Sequence, residues 1–199
     1  MKVGIVGTGS VGGSLASGLA AAGHDVVVGS RDPEAAEVAD VDVVTQRAAA
    51  ERGDVVILAL PASVVAGVAG DLRDALDGKP VLDAANEYPT PGGDASVAAR
   101  VADAAPTANV VKAFNTIGAN RMTDPAFDGE RATMFLAGDD EDAVSVAAEL
   151  AADLGFEPVV AGDLAAATHL EHLARFWIHL SGTYGRDIAF RLLGATAGR

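Results

Sequence analysis

The sequence predicts an α/β chain: a doubly wound, mainly parallel sheet with a small helical C-terminal subdomain. Short apolar runs recur along the chain and alternate with stretches of helical periodicity. A glycine-rich loop follows the first run directly, and the segment after the last run keeps helical spacing with no further strand pattern.

In order, Lys2 to Val6 is an apolar run bounded by glycine, as suits a strand buried on both faces. Leu15, Leu19 and Ala22 follow at helical spacing, and Gly23 stands where a helix C-cap glycine belongs. Asp25 to Val28 is the second strand, which completes a βαβ unit. Two short helices are expected near Pro33 to Val38 and Thr45 to Arg52, then a strand from Asp54 to Leu60 closed by Pro61. Ser63 to Leu76 reads as helix, Pro80 to Asp83 as strand, Ala95 to Ala105 as helix and Ala108 to Phe114 as strand. Thr133 to Ala137 is the next strand, Asp139 to Leu154 a helix ended by Gly155, and Glu157 to Ala161 the last strand. From Asp163 a helical stretch runs towards Leu193, so the expected division is residues 1–162 as the sheet domain and 163–199 as the helical subdomain.

The composition narrows the function. At 199 residues, half of them apolar, the chain can bury roughly 70% of its unfolded surface without staples. It has no cysteine, which removes thiol catalysis and Cys-based zinc sites, so redox chemistry would rest on a bound cofactor. No apolar run approaches the roughly 20 residues that span a bilayer, and the chain opens on a strand rather than a signal peptide. The expectation is a soluble cytoplasmic protein. A formal net charge of −14 disfavours nucleic acid and anionic membrane as partners, because both need clustered Lys and Arg. Asp outnumbers Glu 19 to 9, and three lysines stand against eleven arginines. A halophile's acidic surface and a GC-rich genome's codon bias both fit these counts; the Asp excess favours the first.

The loop Gly7-Thr8-Gly9-Ser10-Val11-Gly12 matches GxGxxG, lies after a strand and opens a helix, the context in which that motif binds a dinucleotide. The fold expected is therefore Rossmann-type. Gly7 allows the tight turn, Gly9 lets the backbone approach a pyrophosphate, and Gly12 lets helix and strand pack closely. An NAD site carries Asp or Glu at the end of the second strand; here Val28 leads into Gly29-Ser30-Arg31. Ser30 can hydrogen-bond a 2′-phosphate, Arg31 offers it a charged fork, and Gly29 removes bulk beside them, so NADP(H) is the expected cofactor. The bland alternative makes Arg31 a solvated loop residue paired with Asp32.

These segments resemble the NADPH-dependent coenzyme F420 reductase family, also called NADP oxidoreductase, coenzyme F420-dependent. The resemblance is carried by the glycine loop, Gly23 to Arg31, Ile57 to Pro61 and Asp83-Ala84-Ala85-Asn86. It extends through Val111 to Ile117, Phe135 to Asp139 and Leu170 to Ile178. It implies hydride transfer between NADPH and the deazaflavin coenzyme F420, or a flavin. Thr8, Ser10 and Val11 would lie along the pyrophosphate, Ser30 and Arg31 at the 2′-phosphate, and Leu60 and Pro61 over the first ribose. Asn86, Phe114, Asn115 and Thr116 would face the nicotinamide and the acceptor ring. Relatives carry another basic residue shortly after the arginine; here Glu34 stands nearby.

No catalytic acid or base is expected among these residues. Tyr88 sits in a Pro- and Gly-rich loop and Lys112 within a strand, and ring-to-ring hydride transfer needs mainly alignment. His169, His172 and His179, with Glu171 or Asp163, suggest a metal only weakly, because Leu170, Leu173, Trp177 and Leu180 make that segment an amphipathic helix. Phe176, Trp177 and Tyr184 suit core or a homodimer interface better than a ring-stacking site. Two other functions stay open: an NADPH-dependent reductase of a small carbonyl or imine, and a non-catalytic NADP-binding module.

Overall fold

The computed structural model describes residues 1–88 and 95–194. Strand β1 (Lys2–Val6) leads through helix α1 (Ser10–Ala21) to β2 (Asp25–Ser30) and β3 (Asp42–Thr45). Next come α2 (Gln46–Arg52), β4 (Val55–Leu58), α3 (Ala62–Asp71), α4 (Arg73–Leu76), β5 (Pro80–Asp83) and α5 (Val97–Ala104). Strand β6 (Asn109–Lys112) precedes a small hairpin of β7 (Ala126–Phe127) and β8 (Glu130–Arg131). The chain continues through β9 (Thr133–Gly138), α6 (Glu141–Asp153), β10 (Glu157–Gly162) and α7 (Ala167–Tyr184).

Eight strands form one sheet in the order β10-β9-β6-β5-β4-β1-β2-β3. Every neighbouring pair is parallel except β6 and β9. The order β3-β2-β1-β4-β5-β6 is that of a dinucleotide-binding fold, with the switch point between β1 and β4. Alternate residues explain why helices cover both faces. Val3, Ile5, Val55 and Ile57 join one core with Leu15, Leu19 and Leu150 of α1 and α6. Val6, Val56 and Leu58 join another with Val65, Leu76, Val97 and Leu170, from α3, α4, α5 and α7. Burying each such side chain contributes about 1.5–3 kcal/mol.

The structure departs from the sequence-based elements in four places. Residues 33–38 form a turn, irregular backbone and an isolated bridge from Val38 to Val41 rather than a helix, because so short a segment, with only Val38 to bury, cannot offset helix nucleation. The half-buried strand β3 follows instead. The helix expected over 63–76 breaks at Leu72 (φ −101°, ψ 3°). The hairpin over 126–131 turns on Asp128 and Gly129, both at positive φ (50° and 84°), as a two-residue turn of the right hand requires.

The fourth departure is at the C-terminus, where α7 ends at Gly185 (φ 77°) instead of running towards Leu193. The rest folds back on the body: the Trp177 Nε1–H donates to the Ile188 carbonyl (2.9 Å) and the Thr133 N–H to that of Phe190 (2.9 Å). The Leu192 N–H donates to Thr133 Oγ1 (3.0 Å), and Arg121 holds Asp187. Residues 195–199 of the expected subdomain lie outside the described residues.

Candidate functional site

At the carboxyl end of β1 the chain turns at Gly7 (φ 127°), where a Cβ would lie 2.2 Å from the Ala59 carbonyl oxygen. At Gly12 a Cβ would lie 2.0 Å from the Gly7 carbonyl oxygen, so α1 packs on the turn only because both residues are glycine. Gly9 caps α1 with no side chain bonded to the helix, and the space its Cβ would occupy is open. The first-turn N–H groups at Ser10 and Val11 have no acceptor within the helix and lie beside the open side of Gly9, where a phosphate would fit.

That space belongs to a groove of about 420 Å³. Gly7, Thr8 and Gly9 form one wall, Gly29 to Asp32 and Gln46 the end, and Ala59, Leu60 and Pro61 the other wall. Seven of the expected cofactor residues thus meet at one opening, with Ser10, Val11 and Gly12 in the helix turn beside it. Arg31 is exposed and makes no ion pair among the described residues, so its guanidinium is not held by Asp32. The Ser30 hydroxyl donates to the Asp32 carbonyl (3.0 Å) and accepts from the Asp32 N–H (3.1 Å), which fixes the turn that presents Arg31.

Gly29 has a different role from the one expected. A Cβ there would lie 2.8 Å from Gln46 Cα and 3.0 Å from Ala49 Cβ, so glycine allows α2 to pack against β2. That approach brings Gln46 into the groove, a lining residue the sequence reading missed.

Asn86, Asn115 and Thr116 gather at the carboxyl ends of β5 and β6. Asn86 Nδ2 donates to the Asn115 carbonyl (2.7 Å), and Asn115 Nδ2 to Asn86 Oδ1 (3.1 Å) and the Leu170 carbonyl (3.1 Å). Asn115 Oδ1 is buried without a hydrogen-bond partner among the described residues. Phe114 does not join this group: its ring is buried in the core, edge-on to Phe156 at 6.5 Å. Its positive φ (57°) turns the side chain inward while the chain carries Asn115 and Thr116 to the strand end.

Beneath these asparagines lies a buried ion cluster that the sequence reading did not assemble. Lys112 is fully buried, with Nζ 2.8 Å from Asp83 Oδ2 and 3.0 Å from Glu171 Oε1. The signal for it was a lysine within the apolar run Val110-Val111-Lys112-Ala113. Tyr88 is exposed, and the loop after it lies mostly outside the described residues. His169, His172 and His179 are exposed on α7, and among the described residues no three His, Cys, Asp or Glu side chains come together to hold a metal. Among the described residues, no helix is long and apolar enough to cross a membrane.

Comparison with known proteins agrees with this geometry. Residues 2–87 match the family described as NADP oxidoreductase, coenzyme F420-dependent. The chain is 31% identical over 209 residues to an F420-dependent NADP reductase of Methanothermobacter marburgensis, covering 91% of this chain and 92% of that one. It is 34% identical over 175 residues to the metalloreductase STEAP3 of Rattus norvegicus, covering 85% of this chain but only 36% of that longer protein. A crystal structure from Arthrobacter sp. FB24, described as a candidate F420-dependent NADP reductase, superposes with a TM-score of 0.88 at 29% identity. It covers 98% of this chain and all of that one. The chain therefore belongs to the coenzyme F420-dependent NADP oxidoreductase family, and it is an NADP-dependent oxidoreductase.

Proposed function

We propose that the protein transfers hydride between NADPH, held along the glycine-loop groove, and the deazaflavin of coenzyme F420 at the Asn86–Asn115 end of the sheet. The observation that carries this reading is the groove itself, with an open phosphate position beside Gly9 at α1 and the unpaired cation of Arg31 at its end. The reductase of M. marburgensis, matched over 92% of its length, supports F420 as the acceptor.

When bound, NADPH would supply a hydride from nicotinamide C4 to C5 of the deazaflavin, and water would supply the proton that completes the reduction at a ring nitrogen. The chain's own part is alignment. Backbone N–H groups of the α1 N-terminus hold the pyrophosphate, Arg31 forks onto the 2′-phosphate, and Leu60 and Pro61 cover the first ribose. Asn86, Asn115 and Thr116 orient the two rings. Holding two rings in contact replaces a bimolecular encounter with an oriented one, which is where most of the rate comes from.

The test is a mixture of the protein, NADPH and F420 in molar salt, with loss of the oxidised deazaflavin absorbance followed over time. Cofactor binding without transfer would remove this reading. A flavin is the other acceptor that the sequence resemblance implies, and the same assay with a flavin in place of F420 distinguishes the two. A homodimer through α7 belongs to the proposal; it rests on the exposed Phe176 and Tyr184 and is read by sedimentation.

A further inference from the structure

The Lys112 ammonium donates to Asp83 Oδ2 (2.8 Å) and to the Ala85 carbonyl (2.5 Å), and it forms an ion pair with Glu171 Oε1 (3.0 Å). Both carboxylates also hold backbone. Asp83 Oδ1 accepts from the Ala85 N–H (2.9 Å), and Glu171 Oε1 accepts from the N–H of Val97, the first residue of α5 (2.8 Å). One buried cation thus ties together the ends of β5 and β6, the start of α5 and the middle of α7.

The asparagine pair hangs from three of the same segments, the ends of β5 and β6 and helix α7. Asn86 follows Ala85, whose N–H and carbonyl are both taken by the cluster. Asn115 lies three residues after Lys112 and donates to the carbonyl of Leu170, the residue before Glu171. Lys112 and Asn115 therefore grip consecutive residues of α7. A charge cluster serving only to anchor a helix gains little over apolar side chains of the same shape. What charge adds here is a fixed direction at the Asp83 and Ala85 acceptors, with Glu171 drawn to the same ammonium.

We propose that Lys112 is a positioning residue: through Asp83, Ala85 and Glu171 it sets the Asn86–Asn115 pair in the one geometry that aligns the hydride donor and acceptor. This inference rests on the proposed function, because that reading places the rings at this pair.

The test compares the wild type with a charge-free variant, Lys112→Met with Asp83→Asn and Glu171→Gln, which keeps the shapes and leaves acceptors for the Ala85 and Val97 N–H groups. Three quantities are read. NADPH affinity, from cofactor fluorescence, is expected to stay within about twofold, since the groove is lined from the ends of β1, β2 and β4 and the start of α2 and by none of the substituted residues. The side-chain amide signals of Asn115 in NMR spectra are expected to shift and to exchange faster with solvent. Hydride transfer in a single turnover is expected to fall about tenfold or more, as misplacement of reacting groups produces.

Unchanged asparagine signals with unchanged transfer would overturn the inference. So would a loss of NADPH affinity equal to the loss of transfer, because that marks a general structural role. If the triple variant does not fold, Glu171→Gln, which keeps an acceptor for Val97, carries the same three readouts with a smaller loss of transfer. A wild type that binds NADPH but transfers nothing to F420 removes the proposed function instead, and the asparagine signals then still decide whether Lys112 sets that pair.

Discussion

Gly7 and Gly12 approach each other so closely that a methyl group on Gly12 would lie 2.0 Å from the Gly7 carbonyl oxygen. The obstructing atom is backbone, so no side-chain rotation relieves the clash. Gly12→Ala must push α1 away from the end of β1, at a cost of about 1–3 kcal/mol or more in stability. Because the same displacement moves the Ser10 and Val11 N–H groups, NADPH affinity falls too. Chemical denaturation and fluorescence titration check the two effects; a stable variant with full affinity would contradict the packing described.

Arg31 lines the end of the groove and makes no ion pair among the described residues. A hydrogen bond to a charged group contributes about 1.5–3 kcal/mol, so Arg31→Ala is expected to weaken NADPH binding by about 10–100-fold. NADH, which has no 2′-phosphate, is expected to bind almost as before. Parallel titrations with both cofactors decide the matter, and equal weakening would show that Arg31 does not read the 2′-phosphate.

The folded-back C-terminal segment should respond to acid. The hydrogen bond from Arg121 holds the Asp187 carboxyl below its ordinary value of 3.8, while the same bond holds the guanidinium above its own. A lowered carboxyl pKa gives stability that is present above 3.8 and is lost as pH falls through the folded value. The Arg121 contribution is lost only at strongly basic pH. Release of the segment is therefore expected below pH 3.8, read by fluorescence of Trp177, whose Nε1–H bonds to Ile188. In Asp187→Asn that acid step should disappear.

Salt should stabilise a chain of charge −14. Raising ionic strength from 0.1 to 1 M shortens the screening length from about 10 Å to about 3 Å and suppresses repulsion among the surface carboxylates. A gain of about 1 kcal/mol reads as a rise of about 2–4 °C in Tm for a chain of this size. Calorimetry at the two salt concentrations checks it; a flat or falling Tm would show that the acidic residues are already balanced locally.

Much of the fold was legible because its signals are local. The apolar runs at Lys2 to Val6 and Pro80 to Asp83 mark their strands to the residue, and the GxGxxG spacing places the groove. What escaped depends on distance along the chain. Nothing near Gly29 announces that α2 needs its missing side chain, so Gln46 went unread. Lys112, Asp83 and Glu171 carry no common motif, since the sheet and α7 bring them together from positions as much as 88 residues apart. Phe114 shows the reverse case: its segment was located well, but only a backbone dihedral decides that its ring faces the core.

The sheet grows from β1 in two directions, and this separates two kinds of choice within one chain. Strand β2, the turn after it and helix α2 carry the residues placed at the far end of the groove, while β5, β6, the turns after them and α7 carry the buried charges and the asparagines. Because these sets share no side chain, loops on one wing can drift without disturbing the other. On the proposed reading, a change at the β2 end is expected to alter dinucleotide preference without altering the acceptor, and a change at the asparagines the reverse.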